Sequence, residues 1–222
     1  MPARTGAQFL EGLKQPREIW VGDRKIKGVA DDPAFAGAAR GVAAVYDLQY
    51  KEADACLMPD PETGEKINVS HMIPRSRQDL ARRRAGLEKI AAYSVGLMGR
   101  TPDYMNVTYA GFAGRAEEWA VNGNEEGAEN LVNYQKYLRR NDISLTHTIV
   151  NPTIDKAQGD APQPGNDVAL RTVGETEHGI VVRRARILAT LAPFADEIPA
   201  YPSPPFPPAC DQHASSLRHH IP

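Results

Sequence analysis

Residues 144–150 read Ser-Leu-Thr-His-Thr-Ile-Val, and the pattern of the chain changes at this stretch. Before it, apolar residues recur mostly at helical spacing; after it come short runs rich in β-branched residues, at 169–173, 179–183 and 185–190. Residues 174–177 separate 169–173 from 178–182, a length that suits a hairpin loop. Helices followed by antiparallel strands, without strand–helix alternation, predict an α+β fold.

The chain before residue 144 carries several start and turn signals. Thr5 and Gln8 have the spacing of a capping box. Residues 18–26 predict a small β-hairpin with Gly22 near its turn, and residues 58–68 read as a polar loop. Asp32 followed by Pro33 predicts a helix start. That helix has one apolar face, made of Phe35, Ala38, Val42, Val45 and Tyr46.

Three more helices are predicted downstream. One starts at Ser76 and runs to about Met98. Its apolar stripe consists of Leu80, Leu87, Ile90 and Ala91. Another starts at Thr101-Pro102, and the last runs from about Glu125 to Arg140.

These signals divide the chain into three regions. We predict an N-terminal helical domain with a small hairpin over 1–142, a partial middle β domain over 143–204, and an irregular proline-rich tail over 205–222. Residues 199–208 read PAYPSPPFPP, which permits little strand pairing. The strands after residue 144 are too few to close or cover a sheet.

Composition narrows the class of protein. Of 222 residues, 41% are hydrophobic and 24% charged, with a net charge of −2, as in ordinary globular proteins. No stretch approaches the ~20 apolar residues that cross a bilayer, and the N-terminus lacks the apolar core of a secretory signal. The two cysteines form no CxxC pair. We expect a cytoplasmic protein without membrane or nucleic-acid partners.

The segment Gly99-Arg-Thr-Pro-Asp-Tyr104 is the most informative candidate site. With Thr101 as the cap and Pro102 as the first helical residue, Arg100 would stand just outside a helix N-terminus, a place that attracts anions. Its guanidinium and the Tyr104 hydroxyl can hold a carboxylate or a phenolate. The structural alternative is a helix start whose arginine pairs with a nearby acid.

His147 lies where helices give way to strands, and its imidazole can act as a base or donor near neutral pH. The alternative is a histidine that binds a backbone carbonyl. Arg82, Arg83 and Arg84 suggest either a phosphate or nucleic-acid surface or, as we favour, a solvated helix face. Four tail residues of metal-binding type have no visible scaffold, so we predict no metal site. They are Cys210, His213, His219 and His220.

Eight segments, taken in order, resemble one known family. They are RTGAQFLEGL (4–13), REIWVGDRKI (17–26), DDPAF (31–35), VYDLQY (45–50), GLMGRTPDY (96–104), THTIVNPTIDKA (146–157), HGIVVRRARILAT (178–190) and FADE (194–197). The chain resembles the oxygenase component of 4-hydroxyphenylacetate 3-hydroxylase and related two-component aromatic hydroxylases. This resemblance implies an acyl-CoA-dehydrogenase-like fold whose C-terminal helical bundle is missing here, and a homotetramer in the full-length family.

The resemblance also implies an activity. A separate NAD(P)H-dependent reductase supplies FADH2, which reacts with molecular oxygen to give a flavin C4a-hydroperoxide. One oxygen atom then enters ortho to the hydroxyl of a phenol such as 4-hydroxyphenylacetate. Catalysis and substrate binding are implied for Arg100, Tyr104 and His147, and substrate binding for Ser203. The implied FAD contacts are Thr153, Ile154, Asp155, Lys156 and Thr190.

The chain departs from the family pattern in one residue and in its length, and one related enzyme is a competing interpretation. Arg184 stands where the family has a glycine at a tight turn, and a turn with positive φ would be strained by arginine. Family members are roughly twice as long, so a truncated, non-catalytic remnant is the alternative. The related 4-hydroxybutyryl-CoA dehydratase needs cysteines for an iron–sulfur cluster within the stretch matching 92–104, which holds none here.

Overall fold

The structure, a computed structural model, describes residues 3–98, 100–152 and 170–200. The described residues form six α-helices, six short strands and two 3-10 helices. The helices are α1 (Gly6–Gly12), α2 (Ala36–Lys51), α3 (Ala53–Cys56), α4 (Arg77–Tyr93), α5 (Tyr104–Ala113) and α6 (Glu125–Asn141). The strands are β1 (Trp20–Val21), β2 (Arg24–Lys25), β3 (Leu57–Pro59), β4 (Lys66–Asn68), β5 (Arg171–Thr176) and β6 (Gly179–Arg183). The 3-10 helices are Val69–His71 and Ala116–Glu118.

The described residues form two compact units. The first comprises 3–98, 100–145 and 193–196, and the second comprises 146–152, 170–192 and 197–200. The strands pair as β1–β2, β3–β4 and β5–β6, each pair antiparallel. This combination of helices with antiparallel pairs agrees with the α+β prediction. The domain boundaries drawn from the sequence stay predictions.

The first unit begins with the capping box that the sequence predicts. Thr5 Oγ1 accepts from the Gln8 amide at 3.2 Å, and Gln8 Oε1 accepts from the Thr5 amide at 2.8 Å. Gly6 then brings α1 onto α2, because a Cβ at this position would lie 2.4 Å from the Ala43 carbonyl oxygen. The Phe9 ring stacks on Tyr46 of α2 with 5.0 Å between ring centroids.

Helix α2 starts later than the sequence predicts. The Asp32 carboxylate accepts from the Ala34 amide and pairs with Arg24. The Asp32 carbonyl accepts from Ala36, so residues 32–35 form a turn before the helix. The predicted apolar face is wrong at Ala38, which is exposed.

Residues 58–68 are not a plain loop but contain the β3–β4 hairpin. Asp60 is buried at its turn, where its carboxylate accepts from the Glu62 and Thr63 amides and pairs with Arg139 at 2.6 Å. Those contacts satisfy a charge that the sequence alone would place in solvent. Ile67 of β4 is buried in the core.

Helix α4 starts as predicted, since Ser76 Oγ accepts from the Asp79 amide at 3.1 Å. It ends at Tyr93, not near Met98, because the backbone turns left-handed at Val95 and Gly96, with φ of 52° and 69°. The predicted stripe is only partly buried. Ile90 is buried and Leu80 is 49% exposed. Helix α6 ends one residue beyond its predicted range.

The second unit contains the predicted hairpin of β5 and β6, with a shorter loop than the sequence suggests, over residues 177 and 178. Residues 144–150 and 185–190 do not form strands. They make isolated bridges, from Thr148 to Ala200 and from Val150 to Ile187. The chain leaves the β region after β6 because Arg184 has a φ of 87°. Arg184 therefore occupies the strained turn that the sequence comparison anticipates.

Candidate functional site

The segment from Arg100 to Tyr104 is a turn that leads into α5. The helix begins at Tyr104 and not at Thr101-Pro102, and the residue before it, Asp103, makes no side-chain cap. The Thr101 carbonyl accepts from the Tyr104 amide at 3.4 Å. The predicted cap at Thr101 is wrong, because the helix begins three residues later, and Thr101 instead closes the turn before it.

Arg100 and Tyr104 lie together at this helix start. The guanidinium carbon of Arg100 is 5.3 Å from the centroid of the Tyr104 ring, within the range of a cation–π contact. Arg100 is exposed and Tyr104 is half-buried. An accessible cation next to a phenol hydroxyl is chemically suited to an anionic oxygen. The roles assigned to both residues stay predictions.

His147 belongs to the second unit and is half-buried. Its neighbours fix the backbone, because the Thr146 amide donates to the Glu197 carbonyl at 3.3 Å and Thr148 to the Pro199 carbonyl at 3.0 Å. Thr190, a predicted flavin contact in the same unit, is exposed. Leu188, two residues before it, is 72% exposed.

The other predicted site residues lie outside the described residues. They are Thr153, Ile154, Asp155, Lys156 and Ser203, together with the tail residues Cys210, His213, His219 and His220. The arginines of α4 make contacts within the chain. Arg82 and Arg83 donate to the carbonyls of Leu57 and Met72, and Arg84 pairs with Glu88 at 2.7 Å.

Pro102 and Asp103, in the segment that leads into α5, line a small cavity in the first unit. Its polar lining consists of Tyr46, Gln49, Asn68, Asp103, Asn106 and Asp142. Gln49 Oε1 accepts from Asn68 Nδ2 at 3.0 Å. Asn106 Nδ2 donates to Ser70 Oγ, also at 3.0 Å. The cavity therefore has a polar wall built from α2, β4, α5 and the end of α6.

Asp142 holds this wall together. Its Oδ2 accepts from the Arg4 amide at 2.9 Å and from Gln49 Nε2 at 3.0 Å, and its Oδ1 lies 3.5 Å from His71 Nε2. Burial alone would raise the pKa of Asp142, but these contacts with His71, Gln49 and Arg4 lower it below its ordinary value. Asp142 is therefore the ionised carboxylate of the cluster.

Asp103 behaves in the opposite way. Burial raises its pKa, and the negative charge of Asp142 adds to that effect, while Thr101 and His71 act against it. Asp103 Oδ1, Asn106 Oδ1 and both ring nitrogens of His71 are buried and have no hydrogen-bond partner among the described residues. The 3.5 Å contact between His71 Nε2 and Asp142 Oδ1 therefore does not have the geometry of a hydrogen bond.

Sequence reasoning missed this cluster. His71 and Asp142 stand in segments without apolar periodicity, and no short motif joins them to Asp103. One signal was present, since Asp103 lies inside the candidate segment. Its burial, however, depends on the packing of α5 against the Val69–His71 helix, which no local pattern predicts.

Comparison with known proteins decides the family. The profile described as "4-hydroxyphenylacetate 3-hydroxylase N terminal" matches residues 5–217. The chain belongs to the 4-hydroxyphenylacetate 3-hydroxylase family. It is 38% identical over 202 residues to the 4-hydroxyphenylacetate 3-monooxygenase oxygenase component of Thermus thermophilus, a match that covers 90% of this chain and 41% of the relative. The chain thus spans about two-fifths of the length of the curated relatives it matches.

Solved structures of the hydroxylase family agree. The oxygenase component of 4-hydroxyphenylacetate 3-monooxygenase complexed with FAD matches with a TM-score of 0.85 and 34% identity, covering 95% of this chain and 43% of that one. The complex with FAD and 4-hydroxyphenylacetate matches with a TM-score of 0.82 and 37% identity, covering 90% and 41%.

The dehydratase relative shares the fold. An archaeal 4-hydroxybutyryl-CoA dehydratase matches with a TM-score of 0.76 at 19% identity, covering 90% of this chain and 40% of that one.

Cys56 is buried, and its thiol lies 3.7 Å from the Gly86 carbonyl oxygen. Among the described residues no three His, Cys, Asp or Glu side chains group as metal ligands. No helix in that part of the chain is long and apolar enough to cross a membrane.

Proposed function

We propose that this chain is the N-terminal part of an FADH2-dependent monooxygenase that hydroxylates a phenol next to its hydroxyl group, with 4-hydroxyphenylacetate as the representative substrate. The observation that carries the proposal is the Arg100–Tyr104 pair, an exposed guanidinium over a tyrosine ring. It lies in a chain whose family match spans residues 5–217. A solved relative with 37% identity is described as complexed with FAD and 4-hydroxyphenylacetate.

The side chains named above suit the ionisation of a phenol. A phenol has a pKa of about 10, and its ring becomes more nucleophilic as the hydroxyl proton leaves. Arg100 is permanently cationic and stabilises the developing phenolate. Tyr104 donates a hydrogen bond to the same oxygen, and His147 accepts the proton.

The residues present fit a flavin in the second unit. The faces of a flavin ring are apolar and its edge is polar, so exposed apolar surface next to a hydroxyl is suitable. Leu188 and Ile187 are 72% and 41% exposed, and the Thr190 hydroxyl follows them closely. Bound reduced flavin supplies the electrons that insert one oxygen atom of O2 and convert the other to water. Thr153, Ile154, Asp155 and Lys156 are the further proposed contacts.

The proposal extends to the complete protein and its partners. A relative from Burkholderia cepacia is described as an FADH(2)-dependent monooxygenase, at 32% identity over 87% of this chain and 38% of its own length. We propose a separate NAD(P)H-dependent reductase as the source of reduced FAD. The acyl-CoA-dehydrogenase-like architecture with a C-terminal bundle, and a homotetramer, belong to the same proposal.

The test mixes the purified chain with reduced FAD, oxygen and 4-hydroxyphenylacetate and measures the catechol product by chromatography. Binding of FAD is measured in parallel by fluorescence. We expect catechol from the unaltered chain and none from Arg100→Gln, with Arg77→Gln on the surface of α4 as the control. Flavin or phenol binding without product would favour the non-catalytic remnant. Absence of both kinds of binding would reject the proposed function.

A further inference from the structure

Asp103 and Asn106 lie next to each other at the start of α5, and both side chains are buried. Asp103 is 6% exposed and Asn106 is 3% exposed. The backbone amide of Asn106 donates to the backbone carbonyl of Asp103 at 3.1 Å. Residues three positions apart on a helix share a face, and both line the same cavity. The carboxyl and the side-chain amide therefore border the same cavity.

Each of these side chains has one oxygen that receives no hydrogen bond from the described residues, Asp103 Oδ1 and Asn106 Oδ1. Their remaining polar atoms are engaged. The Thr101 hydroxyl bonds to the Asp103 carboxyl, and Asn106 Nδ2 donates to Ser70 Oγ. Two acceptors facing one cavity cannot satisfy each other while the acid is ionised, and unpaired buried acceptors are destabilising.

We propose that Asp103 is a neutral carboxylic acid in the folded chain, that its hydroxyl donates a hydrogen bond to Asn106 Oδ1, and that this bond positions Arg100 and Tyr104. Protonation turns one of the two acceptors into a donor and satisfies both. Because Asp103 lies between Arg100 and Tyr104, its bond ties the turn to the first turn of α5. Asp103 is thus a positioning residue, and its relevance to phenol binding rests on the proposed function.

The charges around Asp103 determine when it holds its proton. Asp142, at the end of α6, is ionised and disfavours a second negative charge, whereas His71 on the Val69–His71 helix favours one. Cys56 of α3 also interacts electrostatically with Asp103, and Tyr46 of α2 lines the cavity. Burial is the strongest influence on the pKa of Asp103 and raises it. The cluster thus separates two carboxyls into one that carries charge and one that carries a proton.

This arrangement gives phenol binding a direction of pH dependence. The raised pKa means that Asp103 is protonated below its own titration midpoint and loses its proton as the pH rises through it. Above that midpoint the bond to Asn106 is lost and the segment is no longer held. We expect affinity for 4-hydroxyphenylacetate to fall about tenfold, the loss that corresponds to one buried hydrogen bond. In Asp103→Asn the amide remains a neutral donor, so this fall is absent.

The first experiment needs neither ligand nor substitution. NMR follows the carboxyl carbon of Asp103 and the side-chain signals of Arg100 and Tyr104 in the full chain as the pH is varied, with exposed Asp23 as the internal reference. We expect Asp103 to titrate above the ordinary aspartate pKa of 3.8, and the Arg100 and Tyr104 signals to change with the Asp103 midpoint. Titration of Asp103 at or below that ordinary value, or signals of Arg100 and Tyr104 that do not change with its midpoint, would overturn the proposal.

Two variants then test the bond. Asp103→Asn removes the shared titration step from Arg100 and Tyr104, whereas Asp23→Asn leaves it in place. Asn106→Leu removes the acceptor, so the Arg100 and Tyr104 signals no longer change with the Asp103 midpoint. Signals that still change with that midpoint would mean that the coupling does not depend on Asn106, which contradicts the proposal.

Binding of 4-hydroxyphenylacetate to the same samples separates this inference from the proposed function. If the unaltered chain binds no phenol at any pH, the proposed function fails, while the NMR titration still decides whether Asp103 positions its neighbours. If phenol binds with equal affinity on both sides of the Asp103 midpoint, the phenol site stands and the positioning role is refuted.

Discussion

Replacing Asp142 by asparagine tests whether a buried negative charge holds the helical unit together. Asp142 adopts a left-handed conformation, with φ and ψ both 47°, at the end of α6. Asparagine tolerates this conformation well, so the backbone is not perturbed. The side chain keeps its size and one acceptor oxygen, while its charge is lost and the other oxygen becomes an NH2 donor.

The expected loss follows from the contacts of Asp142. Its carboxylate accepts from the Arg4 amide at 2.9 Å and from Gln49 Nε2 at 3.0 Å. A hydrogen bond to a charged group contributes about 1.5–3 kcal/mol, and one between neutral groups about 0.5–1.5 kcal/mol. Converting two charge-assisted bonds into neutral ones therefore lowers the free energy of unfolding by about 2–3 kcal/mol at pH 7.

The direction of the pKa shift determines how the stability difference between the unaltered chain and Asp142→Asn changes with pH. The folded pKa of Asp142 is lowered below its ordinary value of 3.8, so its ionised form stabilises the fold above that value. This stabilisation is lost as the pH falls through the folded pKa, and the difference between the unaltered chain and Asp142→Asn should shrink in acid. Urea unfolding followed by circular dichroism at a series of pH values measures it.

Asp23→Asn, in the exposed turn between β1 and β2, is the control and should change stability by less than about 0.5 kcal/mol. Equal stability of Asp142→Asn and the unaltered chain at pH 7 would refute the reasoning. So would a difference that grows as the pH is lowered, because that would require a neutral Asp142 in the folded chain.

Five further substitutions test other parts of the packing by the same urea assay. Arg139→Met removes the ion-pair partner of the buried Asp60 carboxylate and should destabilise the chain by about 3 kcal/mol, of which Asp60→Asn in the same chain recovers a part; full additivity would contradict this. Gly86→Ala should destabilise, because the added carbon would lie 2.4 Å from a valine methyl and 2.8 Å from a carbonyl oxygen. Gly111→Ala, with no atom within 4 Å, should instead stabilise by about 0.5–1 kcal/mol. Arg184→Gly relieves a φ of 87° and should stabilise by about 1 kcal/mol; a loss would show that arginine is not strained there.

Local signals in the sequence predicted those elements that are determined locally. The capping box at Thr5 and Gln8 and the start of α4 at Ser76 are closed by hydrogen bonds between residues three apart. The hairpins β1–β2 and β5–β6 join adjacent strands through short turns. The strained turn at Arg184 also followed from sequence, because the family pattern has glycine there.

Predictions failed where distant contacts override local preference. Asp32 did not cap α2, because Arg24 and the turn of residues 32–35 use its carboxylate. The sequence predicts a loop where the β3–β4 hairpin lies, because Asp60 at its turn is buried only through its ion pair with Arg139 of α6. Residues 144–150 have strand composition, yet their partners reach them only as isolated bridges.

The candidate site likewise has one part that the local sequence predicts and another that depends on distant contacts. Arg100 and Tyr104 are four residues apart, so the sequence could place both at one helix start. The buried partners of that segment come from separate elements, with His71 before α4 and Asp142 after α6. Their convergence on Asp103 depends on tertiary packing, and no spacing rule connects them.

The most direct test of the account is whether the hydroxyl of the substrate is recognised at Arg100 and Tyr104. NMR spectra of the chain with anaerobic reduced FAD are recorded with 4-hydroxyphenylacetate and with phenylacetate, which lacks only that hydroxyl. The account predicts that 4-hydroxyphenylacetate shifts the side-chain signals of Arg100, Tyr104 and His147, and that phenylacetate leaves them unchanged. Equal shifts with both compounds, or shifts confined to other residues, would contradict it.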